Sequence, residues 1–159
     1  MAGERQQGED GWLDEPEQQE RGLPSGEVLD WYQRGVQLLD EGDPATASQV
    51  LRRAAARVPH SRSVLEALAR AQFDSEQYDE AVISFQRLVE EDADDDYAQF
   101  GWGLSAAKLG QFDLAVEHLA AAAALRPDVN YYTLALRGAR ATARSHAHRP
   151  PQEQRHGGS

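Results

Sequence analysis

Residues 76–88 read EQYDEAVISFQRL, and residues 42–54 and 110–122 repeat the pattern as GDPATASQVLRRA and GQFDLAVEHLAAA. The shared small residue is Ala47, Ala81 or Ala115, spaced 34 residues apart each time. Four positions later stands a large apolar residue: Leu51, Phe85 or Leu119. Five positions earlier is a turn-like site: Gly42, Glu76 or Gly110. Twelve positions later is Pro59, Ala93 or Pro127. A period of this length, kept three times without insertion, marks a stacked repeat architecture.

Outward from the first copy, the pattern becomes helical. Leu29, Tyr32, Val36 and Leu39 recur at steps of three and four, as on an amphipathic helix. Trp31, Gly35 and Leu38 form a second stripe, so this helix buries two faces. Gly42 supplies a left-handed stop, and Asp43-Pro44 supplies an N-cap followed by proline at the first helical position. Ala47, Val50, Leu51, Ala54 and Val58 outline a second helix that stops before Pro59. The unit then recurs, with helices predicted near 62–75 and 78–91, and near 96–109 and 112–125.

A 34-residue helix pair with W-x2-L-G-x2-Y, then A-x3-F, then P resembles the tetratricopeptide repeat (TPR) family. The first copy offers Trp31, Gly35, Leu38, Ala47, Leu51 and Pro59. The second offers Leu65, Leu68, Ala69, Ala81, Phe85 and Leu88, and the third Trp102, Gly103, Ala115, Leu119, Ala122 and Pro127. The resemblance implies an all-α, right-handed α-solenoid of helix-turn-helix repeats, with repeats at 28–61, 62–95 and 96–129. Gly35, Ala69 and Gly103 let paired helices approach closely, and Leu51, Phe85 and Leu119 fill the groove beside them. The sequence departs from the family at Arg34, Gln72, Glu76 and Ala106, where leucine, an aromatic, glycine and an aromatic are usual.

Composition bounds the function. The chain has 159 residues, no cysteine and a net charge of −11. No disulfide framework or cysteine-ligated metal site exists, and the redox compartment is left open. The charge is uneven: residues 28–128 hold 18 acids and nine bases, whereas residues 129–159 hold one acid and five arginines. An acidic body repels phosphate backbones and disfavours nucleic acid as a partner. No apolar run approaches a membrane span of about 20 residues, and no signal peptide is visible, so a cytoplasmic location is the expectation. Fifteen arginines against one lysine suggest a GC-rich, bacterial genome.

Residues 1–27 read as a disordered acidic tail, with one apolar island, Trp12-Leu13, among Asp10, Asp14, Glu15 and Glu17. That island reads either as part of a solvated tail or as a short docking motif, which would enter the chain's own groove or that of a second copy until a partner displaces it. The acidic run 90–96 lacks the alternating acids, central glycine and final glutamate of an EF-hand loop and reads as a solvated turn between repeats, part of which caps the next helix. Residues 130–147 read as a C-terminal capping helix, with Tyr132, Leu136, Ala139 and Ala143 buried and Arg137, Arg140 and Arg144 outside. Residues 148–159 read as a disordered tail.

No phosphate loop, GxSxG, HExxH or cysteine pair is present, so no catalysis, cofactor or metal is expected. His118 has no partner set visible in the sequence. The resemblance instead implies a concave groove lined by the first helix of each repeat. By helical phase that surface carries Leu29, Tyr32, Val36 and Leu39, then Ser63, Glu66, Arg70 and Phe73, then Tyr97, Phe100, Leu104 and Ala107. The family's carboxylate clamp is missing, because its positions hold Tyr32, Val36, Ala67, Tyr97 and Gly101. An aromatic and aliphatic groove suits a protein partner presenting an amphipathic helix or apolar peptide. Self-association through the groove or the end faces is the alternative, as is a regulatory subunit role. The repeat reading makes one direct prediction. Ala81→Arg should cost on the order of 3 kcal/mol or more by overpacking and charge burial, and an unchanged melting temperature would contradict it.

Overall fold

The computed structural model describes residues 26–149. They form α1 (Gly26–Asp40), α2 (Pro44–Arg57), α3 (Arg62–Asp74), α4 (Tyr78–Glu91), α5 (Asp96–Lys108), α6 (Phe112–Leu125) and α7 (Asn130–Ala147). No strand occurs among the described residues. Each helix packs on its sequence neighbours, and further contacts join α1 to α3, α3 to α5 and α5 to α7. Short turns reverse the chain at every step, so the odd-numbered helices run in one direction and form one wall. This is an all-α solenoid of helix-turn-helix units.

The turns show why the sequence folds this way. Asp43 N–H bonds Leu38 C=O, Gln77 N–H bonds Gln72 C=O, and Gln111 N–H bonds Ala106 C=O, at 2.8, 2.7 and 2.9 Å. These are three copies of one helix-ending motif, whose preceding residue must be left-handed. Gly42, Glu76 and Gly110 take that role with φ of 82°, 64° and 77°. Asp43, Ser61 and Asp95 then cap the helices that follow, each side chain accepting a bond from a backbone N–H three residues on.

Packing inside each pair is a large side chain against a missing one. A Cβ on Gly35 would lie 2.4 Å from Leu51 Cγ, and one on Gly103 would lie 2.7 Å from Leu119 Cγ. Phe85 does this twice, packing with Ala69 of its own pair and lying 2.3 Å from where a Gly101 Cβ would be. Ala47, Ala81 and Ala115 are fully buried.

The unusual residues are absorbed by polar contacts. Gln72 is buried and accepts a 2.6 Å hydrogen bond from the Ser84 hydroxyl. One repeat later the position of Ser84 is His118, which is buried, stacked on Trp102 and 2.9 Å from Gln99 Oε1. The histidine without an evident partner is thus a core residue between α5 and α6. The acidic run is not simply solvated either. Arg62 at the start of α3 pairs with Glu91 at the end of α4 and with Asp95, the cap of α5. This ties α3 and α4 to the start of α5 along one edge.

Both ends of the array are polar. On α1, Asp30, Gln33, Arg34 and Gln37 occupy the repeat positions of the buried Val64, Ala67, Leu68 and Ala71, and all four are exposed. On α7, Thr133, Arg137 and Arg140 occupy those of Leu65, Ala69 and Gln72 and are likewise exposed.

Two predictions follow from this packing. A non-glycine residue in the left-handed region is strained, so Glu76→Gly should raise stability by up to about 1 kcal/mol, and Gly110→Glu should lower it by about as much. Denaturant midpoints check both. Burial lowers the His118 pKa below its ordinary value of 6.5, against a smaller opposing effect of Glu117. A depressed folded-state pKa means that this contribution is complete above the unfolded value and is lost as pH falls through the folded one. Thermal melts from about pH 7 down to about pH 5 should therefore show an acid-side loss that is smaller in His118→Gln.

Candidate functional site

The wall made by α1, α3, α5 and α7 carries two adjoining concavities. The first, of about 400 Å³, is lined by Tyr32, Val36 and Leu39 of α1, by Ser63, Glu66, Ala67 and Arg70 of α3, and by Tyr97 of α5. The second, of about 180 Å³, is lined by Arg70, Phe73 and Asp74 of α3, by Phe85 of α4, and by Tyr97, Phe100, Gly101 and Leu104 of α5. Arg70 and Tyr97 belong to both, so the two form one trough across α1, α3 and α5.

Every inner-face residue expected from the helical phase lines this trough except Leu29 and Ala107, which are half-buried. Leu39 is only 8 % exposed and belongs to the core with Leu38, Leu51 and Leu68, so it forms floor rather than rim. Phe73 meets Tyr78 edge-on at 5.4 Å. Phe100 is flanked by Tyr131 at 5.4 Å and Tyr132 at 4.7 Å, so it is partly covered by α7. Tyr132 donates a 2.7 Å hydrogen bond to Asp96, which fixes the start of α7 against the start of α5. Trp12 and Leu13 lie outside the described residues.

The trough changes character along its length. Its α1–α3 part is mixed: Arg70 reaches Asp74 at 3.7 Å, and Glu66 sits nearby. Partial burial raises the Glu66 pKa, Asp95 adds to this, and Arg62 opposes it. Burial also raises the Tyr97 pKa, with Glu66 next in effect, so its phenol stays neutral. Toward α5 the surface is aromatic and aliphatic. Among the described residues no group of three or more His, Asp or Glu is placed to hold a metal ion.

Two exposed residues in the same row escape a reading confined to three repeats. Tyr131 and Leu134, 58 % and 61 % exposed, continue the row onto α7. The 34-residue register could have found them, because they follow Tyr97 and Phe100 by one period.

Two sequence profiles described as Tetratricopeptide repeat match the chain, one over residues 38–100 and one over residues 97–128. The chain belongs to the tetratricopeptide repeat family. A search of curated proteins finds no match. Among solved structures, MamA from Desulfovibrio magneticus RS-1 superposes with a TM-score of 0.72 at 21% identity, covering 76% of this chain and 68% of that one. MamA MSR-1 gives 0.69 at 23%, covering 77% and 70%. The C-terminal TPR-containing domain of a Plasmodium falciparum protein assigned as FK506-binding gives 0.70 at 15%, covering 77% and 91%. At these identities the likeness concerns the fold. As a TPR protein, the chain is a protein–protein interaction scaffold in general terms.

Proposed function

We propose that the chain is a non-catalytic adaptor that takes a peptide or partner helix along its concave wall. The carrying observation is the continuous trough, in which Arg70 and Tyr97 link a mixed polar half to an apolar half. An amphipathic helix or extended peptide fits such a surface, with apolar anchors toward Phe73, Phe100 and Leu104 and a polar flank toward Glu66 and Arg70. In this reading residues 28–129 are three repeats and α7 is their terminal cap. No helix among the described residues is long and apolar enough to cross a membrane.

Self-assembly is the alternative, but end-to-end stacking has little support. It would bury Asp30 and Arg34 of one copy against Arg137 and Arg140 of another, in place of an apolar seam. A size measurement across a concentration series separates the two readings.

Arg70 is suited to a direct test, because its side chain is 48% exposed and its loss leaves the core intact. Affinity capture is run in parallel with the wild-type chain and with Arg70→Glu and Leu104→Asp variants whose circular dichroism is unchanged. A partner that depends on the trough should bind both variants at least about tenfold more weakly, or about 1.4 kcal/mol. Equal retention by all three chains would rule out the concave wall.

A further inference from the structure

Helix α7 carries two largely exposed features, although the Tyr131 ring meets Phe100 of α5 edge-on. Tyr131 and Leu134 extend the apolar row of the concave wall past α5 and remain largely exposed. Beside them run Arg137, Arg140 and Arg144, all exposed, and none is in an ion pair among the described residues. Residues 129–149 contain no carboxylate side chain. Leu134 and Arg137 are one helical turn apart, so the basic row starts beside the apolar pair and continues through Arg140 and Arg144 toward the end of α7. The complement of this surface is an apolar pair bordered by acids.

The chain itself holds such a segment. Trp12-Leu13 lies among Asp10, Asp14, Glu15 and Glu17, in a stretch (residues 1–25) with seven acids and two arginines. We propose that residues 9–13 dock onto α7 of the same chain, with Trp12 and Leu13 against Tyr131 and Leu134 and Glu9 and Asp10 toward the arginine row.

The reach is sufficient. The odd-numbered helices begin along one edge, as Arg62 with Asp95 and Tyr132 with Asp96 demonstrate. Gly26 opens α1 on that edge, and Tyr131 is the second residue of α7 on the same edge. Three helix spacings of about 8–10 Å put them roughly 30 Å apart. The twelve residues 14–25 can extend to about 40 Å. A tether of this length gives an effective concentration in the millimolar range, which favours the segment's own α7 over a second copy. A partner running along the trough onto α7 would have to displace the segment. That consequence rests on the proposed use of the concave wall, whereas the contact itself rests on α7 alone.

The test titrates a labelled synthetic peptide of residues 8–20 against full-length chains by fluorescence anisotropy. A Trp12→Ala/Leu13→Ala chain, with its own segment disabled, should bind the peptide at least tenfold more tightly than the wild type does. Adding Leu134→Glu, or Arg137→Glu with Arg140→Glu, should abolish that binding, and raised salt should weaken it. These positions are exposed, so the variants keep the fold. Equal affinity of the wild-type and double-variant chains would overturn the proposal, as would binding that survives Leu134→Glu. A wild-type size that grows with concentration, and no longer does so in Trp12→Ala/Leu13→Ala, would assign the segment to a second copy and overturn the intramolecular contact. Arg70→Glu should leave peptide binding unchanged, which keeps failure of the trough distinct from failure of this contact.

Discussion

The structure depends on how closely two helices can approach. At Gly35, Ala69 and Gly103 the first helix of a pair has little or no side chain, and Leu51, Phe85 or Leu119 of the second occupies the space. Such contacts are short-ranged, and a gap of even an ångström forfeits much of the dispersion energy. The fit therefore sets the helix separation within each pair. Phe85 transmits it to the next pair through Gly101. The curvature of the wall, and so the trough, is the sum of these local distances. A solenoid has no long-range contact to correct an error, because each unit meets only its neighbours.

Buried polar pairs supplement this packing. Gln72 with Ser84 and Gln99 with His118 place hydrogen bonds between paired helices. A buried polar pair is tolerable only when both members are satisfied, and each then restricts rotation of the other. Arg62 acts between pairs, holding the end of α4 and the start of α5 together at the edge where the odd-numbered helices begin. The wall is thus positioned by contacts behind it and along its edge.

That inner surface is uneven, and the unevenness has a sequence origin. The same repeat position is Tyr32, Glu66, Phe100 and Leu134 in successive units, and another is Val36, Arg70, Leu104 and Gly138. One scaffold position therefore presents aliphatic, aromatic, acidic and basic chemistry in turn. Under the proposed use of the wall, a ligand would be recognised by the order of these groups along the trough, while the backbone beneath them repeats.

The sequence alone determined the helices, their pairing and the register of the small and large residues. Those features are local or recur at 34 residues, and steric demand at Ala47, Ala81 and Ala115 leaves a readable trace. The inner-face residues were mostly legible for the same reason, since helical phase follows from period. Only the tertiary structure showed that Leu39 is floor, that Phe100 lies partly under two tyrosines of α7, and that Arg70 and Tyr97 join two concavities. It alone placed His118 in a core contact with Gln99 and turned part of the acidic run into a lock around Arg62. These features depend on which side chains of different helices meet and on rotamers chosen by neighbours, neither of which periodicity encodes.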